Sequence, residues 1–264
     1  MNKIVNKFKN MDSNNKIVMK NTIMAFFVKG GALAISLLST PAFIKYFNNY
    51  TLLGVWYTML SILIWFLNFD LGIGNGIRNN LTIAIAKHDK EEARFVISSG
   101  FFSSFIVTLI LTFLGILLLK NLNLNSIFNI SKEIINPESL FISALFIFLA
   151  IMLRFLLTSV SAIFYALQKS AINNLLALCV SVLQLLFILF FRFNTYEKSL
   201  IFLSIAYFIF SNLPILIGGL VIFKTILKDC KPSFAYINTS YIKKVLSIGN
   251  ANKLRVLTTM KSDI

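Results

Sequence analysis

Six long apolar runs dominate this chain, covering roughly Thr22–Phe47, Leu52–Phe69, Phe95–Leu119, Leu140–Leu167, Ala171–Phe193 and Leu200–Phe223. At 1.5 Å of rise per residue, about 20 residues of helix cross the roughly 30 Å hydrocarbon core of a bilayer. No water is available there to backbone N–H and C=O groups, so each run must satisfy them internally, as a helix does. The strands of an outer-membrane barrel would alternate polar and apolar residues, and these runs do not. Composition agrees, since 57% of the 264 residues are hydrophobic, 13% are charged and 27 are Phe, which excludes an ordinary water-soluble enzyme. The expected fold class is all-α, a polytopic membrane protein with six transmembrane helices. Met1–Lys20 is polar and basic, so it does not resemble a cleavable signal peptide.

The formal charge of +15 is unusual on so apolar a chain. Its distribution explains most of it. Eighteen Lys and Arg residues fall in segments that share a side with the N-terminus, against five (Lys45, Lys120, Lys132, Arg192 and Lys198) on the other. This positive-inside bias places the N-terminus in the cytoplasm, and it removes the case for a nucleic-acid partner. The expected organisation is a cytoplasmic basic N-terminus over 1–21, a six-helix lobe over 22–223, and a cytoplasmic basic loop over 224–264. That last segment opens like the approach to a seventh helix at Tyr241–Gly249 and then turns polar, which reads as a truncated or frame-shifted chain.

Two cations remain within the runs, Lys29 and Arg154. A charge at the centre of a membrane helix costs roughly 2.5–3.5 kcal/mol on insertion scales, so such residues face cavities or partners. Arg154 heads a stripe with Thr158, Ser161, Tyr165 and Gln168 at i+4, i+7, i+11 and i+14, all on one helix face. That pattern points to a hydrated cavity for an anion; the alternative is an Arg packed between helices against carbonyls. Lys29, with Ser36 and Thr40 on its face, either lines a polar path or snorkels to the headgroups. Asp70 closes the second run in Asp70-Leu71-Gly72-Ile73-Gly74-Asn75-Gly76-Ile77-Arg78, where the glycines allow close helix approach or local unwinding. Asp70 and Arg78 either pair or stand solvated at a helix end.

Other features are bland. Asn136-Pro137-Glu138-Ser139 suits a helix start, and Pro41 and Pro214 fall inside the first and sixth runs. His88–Arg94 reads as a solvated loop that opens the third helix. Thr108 and Thr112 suit hydrogen bonding between helices, and Ser181 and Gln184 give the fifth a weak polar face. Cys179, Cys230 and the lone His88 supply neither a disulfide framework nor a metal or nucleophilic cluster, and no cofactor is expected.

The order of Lys29, Pro41, Leu53-Gly54-Val55-Trp56-Tyr57, the Asp70–Gly76 block and Asn80-Leu81 resembles the N-terminal half of bacterial polysaccharide biosynthesis and O-antigen (Wzx-type) oligosaccharide flippases, members of the multidrug/oligosaccharidyl-lipid/polysaccharide transporter superfamily. The resemblance spans roughly Asn21 to Gly249. It implies one lobe of a two-lobe transporter fold in the bacterial cytoplasmic membrane. It further implies that the cargo is an undecaprenyl-diphosphate-linked oligosaccharide, carried through a cationic cavity by a protein that is not an enzyme. Membrane lipids, and the polymerase and glycosyltransferases of the same pathway, are the implied partners. Lys29 and Asp70 match the family pattern, Arg78 matches it more loosely, and Arg154 rests on the physical argument. The competing readings are a cation-coupled exporter of the same superfamily, which wants membrane carboxylates where these runs have no Glu, and a membrane-embedded glycan polymerase or acyltransferase.

Overall fold

The computed structural model describes residues 13–68 and 72–246. The chain is an all-α polytopic membrane protein. Its helices are α1 (Ser13–Phe47), α2 (Tyr50–Asn68), α3 (Ile73–Ala86), α4 (Lys90–Asn121), the short α5 (Leu124–Ile127), α6 (Pro137–Ala166), α7 (Ser170–Phe190) and α8 (Tyr196–Thr225), followed by a 3₁₀ turn at Phe234–Tyr236. Among the described residues, five helices are long and apolar enough to cross a membrane: Phe26–Phe47 of α1, then α4, α6, α7 and α8. The remaining expected run forms α2, whose described apolar stretch is the shorter Tyr50–Ile62.

Local chemistry sets the helix ends. Asn136 accepts a hydrogen bond from the Ser139 N–H at 2.7 Å, with Pro137 in the first turn and Glu138 at the positive dipole end, as the sequence suggested. Asp89 caps α4 in the same way through the Glu92 N–H at 2.9 Å. On the opposite side, α5 folds the connection over 122–136 into a cap. Buried Asn125 donates to the carbonyls of Ile130 and Ile135 there.

The glycine-rich segment does more than end a helix. Gly72 takes a left-handed backbone (φ 80°) that suits a residue without Cβ, and a new helix, α3, starts immediately after it. Ile73, Ile77, Leu81 and Ala84 recur at helical spacing and bury one face of α3 against α4 and α6. The stretch between the second and third apolar runs is therefore largely packed helix, and of the expected loop His88–Arg94 only 88–89 lies outside a helix, in the turn 87–89.

Helices α6 and α8 form the central pair, α1 packs on α7, and α4 flanks α6. Their apolar side chains divide into two cores. One joins the end of α1, the start of α2 and the first half of α6, with Trp56, Phe47, Ile147 and Leu203 among its members. The other joins α3, the start of α4 and the second halves of α6 and α8, with Ile77, Ile97, Ile163 and Ile222. Since α2 lies beside the first half of α6 and α3 beside the second, the two short helices follow one another along the bundle. Between helices α4 and α6, Ser104 and Ser159 share a buried hydrogen bond of 2.7 Å. Thr108 does not bond across helices as expected but to the Ser104 carbonyl of its own helix.

The connection after α8 is not a free basic loop. Over 226–246 it straps across the start of α4, and residues 239–246 are helical. Lys90 pairs with Asp229 at 2.9 Å and Lys244 with Glu92 at 2.8 Å. Arg94 donates to the Asp229 carbonyl and lies 5.4 Å from the Tyr236 ring, while Phe95 stacks on Tyr241. Val245 is fully buried, its backbone directly over Gly76. The run His88–Arg94 therefore holds the strap through Lys90, Glu92 and Arg94, where sequence suggested only solvated charges.

The Lys90 ammonium, through its hydrogen bond and its charge, holds the Asp229 carboxyl below its ordinary value. The hydrogen bond to Glu92 raises the Lys244 ammonium above its own. A depressed carboxyl stabilises the fold above its unfolded pKa and loses that effect as pH falls through the folded value; a raised ammonium stabilises below its unfolded pKa and loses the effect as pH rises through the folded one. Limited proteolysis of the strap should accordingly stay constant across neutral pH and accelerate below about pH 4 and again above the lysine range.

Candidate functional site

The two apolar cores meet at a polar layer. Pro214, inside α8, lacks the N–H that would bond the Phe210 carbonyl, one residue before Ser211. Arg154 of α6 donates from Nη1 to the Ser211 carbonyl at 2.9 Å. Asn212 of α8 reciprocates, donating from Nδ2 to the Ala150 carbonyl at 3.0 Å. These two bonds cross-link the central helices about midway along α6. Pro214 is buried next to them, whereas Pro41 of α1 lies exposed.

Beside this cross-link lies a cavity of about 190 Å³, lined by Ala150, Arg154, Ala177, Val180, Tyr207 and Ser211. Arg154 packs against a carbonyl and also lines this cavity. Of its five N–H donors, one is in a hydrogen bond among the described residues. The others keep the guanidinium able to meet an anion. At ~30 Å³ each, the space has room for about six waters.

The stripe below Arg154 leads toward the end of the bundle that carries the basic loops. Thr158 bonds back to the Phe155 carbonyl, and Ser161 is half-buried. Tyr165 stands at the end, about 17 Å from Arg154 along the axis, where it accepts a hydrogen bond of 3.0 Å from Asn173. Arg78, exposed on α3, lies 5.4 Å from the Tyr165 ring. Arg154 and Arg78 thus mark the two ends of one polar track.

Lys29 is not brought into this cluster. It is exposed on α1 with Ser36 and Thr40 also exposed, and it forms no ion pair among the described residues. Val28 is buried, and Gly31 lies against Leu178 of α7. Asp70 lies outside the described residues, as do Gly249, Lys253, Arg255 and Lys261. The sequence reading does not single out Tyr207, Ser211 or Asn212. Their available signal is Tyr207-x₃-Ser211-Asn212-x-Pro214, the polar group nearest a proline in an otherwise apolar helix. No family model matches the chain, and neither a curated protein nor a solved structure matches it.

Proposed function

We propose that this protein is a lobe of a flippase that moves undecaprenyl-diphosphate-linked oligosaccharide across the bacterial cytoplasmic membrane, with its basic end in the cytoplasm and α2 as a sixth span. The observation that carries the proposal is a guanidinium at mid-depth of the bundle, beside a cavity and joined by a polar stripe to a second cation at the basic end. A lipid-linked diphosphate carries two adjacent anionic groups on an apolar tail. The track offers the diphosphate charge-assisted bonds where water is scarce, and the apolar outer faces leave the tail in lipid. Lys29 would line the wall of a second lobe facing α1, and Asp70 would balance the cations of the track. The resemblance of the Gly-Val-Trp and Asp-Leu-Gly-Ile-Gly blocks supplies the identity of the cargo. The arrangement favours an anionic cargo over the cationic drugs of related exporters, because the ionised groups at the track are basic.

Thiol accessibility tests the binding step. In a Cys179→Ala background, Val180→Cys should react with a charged thiol reagent added from the cytoplasmic side, and purified lipid-linked oligosaccharide diphosphate should slow the reaction at least several-fold. Ile172→Cys, exposed at the basic end of α7, should react without such protection. Equal protection at both positions, or none at Val180→Cys, would count against the proposal.

A further inference from the structure

A separate cleft opens where the strap crosses α4. Phe101, Phe102 and Phe105 of α4, Leu156 of α6, and Phe234 and Ile237 of the strap enclose about 210 Å³ of nearly apolar space. Phe101 lies six residues into the apolar run that begins at Phe95, about 9 Å of helix below its start, so the cleft faces hydrocarbon. Phe234 is 85% exposed and does not fold back to fill it. At ~30 Å³ per methylene-sized unit, the space takes a run of about seven carbons.

The strap that forms one wall of the cleft carries positive charge just before the residues that line it. Lys228 and Lys231 immediately precede the cleft residues of the strap; both are exposed, and neither forms an ion pair among the described residues. Asp229, between them in sequence, is committed to Lys90, and its carbonyl to Arg94. The one acid of the strap over 226–246 is therefore already paired. A lipid with a zwitterionic head would gain little at such a mouth, whereas one with a net negative head gains at both lysines.

We infer that this cleft is a binding site for an anionic phospholipid of the surrounding bilayer, one acyl chain lying among Phe101, Phe105, Leu156 and Phe234 and the phosphate at Lys228 and Lys231. The lipid wedges between α4 and the strap, and so completes the packing that fastens the strap to the bundle. The site is independent of what the bundle transports.

The exposed position of Phe234 makes it a reporter. Phe234→Trp in proteoliposomes is titrated with phospholipids brominated along the acyl chain, and quenching is read as the difference from the parent protein, which removes the contribution of Trp56 and Trp65. Brominated phosphatidylglycerol should quench at a several-fold lower mole fraction than brominated phosphatidylcholine, since each lysine near an anionic head contributes about five-fold. Adding Lys228→Glu and Lys231→Glu, both at exposed positions, should abolish that preference while leaving quenching by phosphatidylcholine intact. Equal quenching by the two lipids, or a preference that survives the lysine changes, overturns the inference. Relief of quenching by polyprenyl phosphate at lower mole fraction than by unbrominated phosphatidylglycerol overturns it too, in favour of the carrier lipid as occupant.

Discussion

Arg154→Glu should abolish polysaccharide export in cells while the protein still accumulates in the membrane at normal levels. The substitution removes a charge-assisted hydrogen bond to the Ser211 carbonyl, worth about 1.5–3 kcal/mol, and places an anion on the path proposed for an anionic cargo. Together these should cost at least ~3 kcal/mol at the translocation barrier, on the order of a hundredfold or more in rate. Insertion should survive, because acidic and basic residues carry similar penalties at a helix centre. Arg154→Lys keeps the charge but loses the planar fork, so an intermediate loss of about tenfold is expected. Surface polysaccharide measured by gel and antibody, with membrane levels measured in parallel, checks the series. Export unchanged in Arg154→Glu would remove this residue from the path.

The second large effect is expected at Gly76. A Cβ at this position would overlap the Val245 carbonyl, and a backbone atom cannot rotate aside as a long side chain can. Gly76→Val should therefore lever the helix over 239–246 away from α3, exposing Val245 and weakening the Lys244–Glu92 pair. Overpacking commonly costs 1–3 kcal/mol, and collision with backbone belongs at the upper end. Hydrogen exchange should show faster exchange over 239–246 with α6 unaffected, and proteolysis should cut the strap earlier. Gly54→Ala, where an added Cβ meets nothing within 4 Å, is the matched control and should behave as the parent. Equal behaviour of the two variants would mean the strap does not depend on that approach.

The spanning helices were legible because the bilayer imposes one rule, a long apolar run, that requires no knowledge of neighbours. The start of α6 was legible for a similar reason, since Asn136, Pro137 and Glu138 act locally. The strap was not. Its charges are ordinary loop charges in sequence, and only the fold brings Asp229 to Lys90, 139 residues away, or Lys244 to Glu92. Helix α3 was hidden in the same way, because a 14-residue helix buried on one face has too few apolar residues to stand out beside runs of twenty. Within the candidate site, Arg154 announced itself as a charge where charges are expensive. Its partner is a backbone carbonyl, which no side-chain pattern reports. Pro214 was visible in α8, but bringing the preceding turn beside Arg154 needed the juxtaposition of α6 and α8.

The most direct test of the central claim follows lipid-linked oligosaccharide across the membrane. Inverted membrane vesicles from cells producing the protein are supplied with radiolabelled undecaprenyl-diphosphate oligosaccharide on their outer, formerly cytoplasmic, face. The fraction that becomes protected from added glycosidase is followed with time. The account expects protection to appear at a rate set by the amount of this protein, and to fall to the level of protein-free vesicles in Arg154→Glu. Protection at the same rate with and without the protein would contradict it.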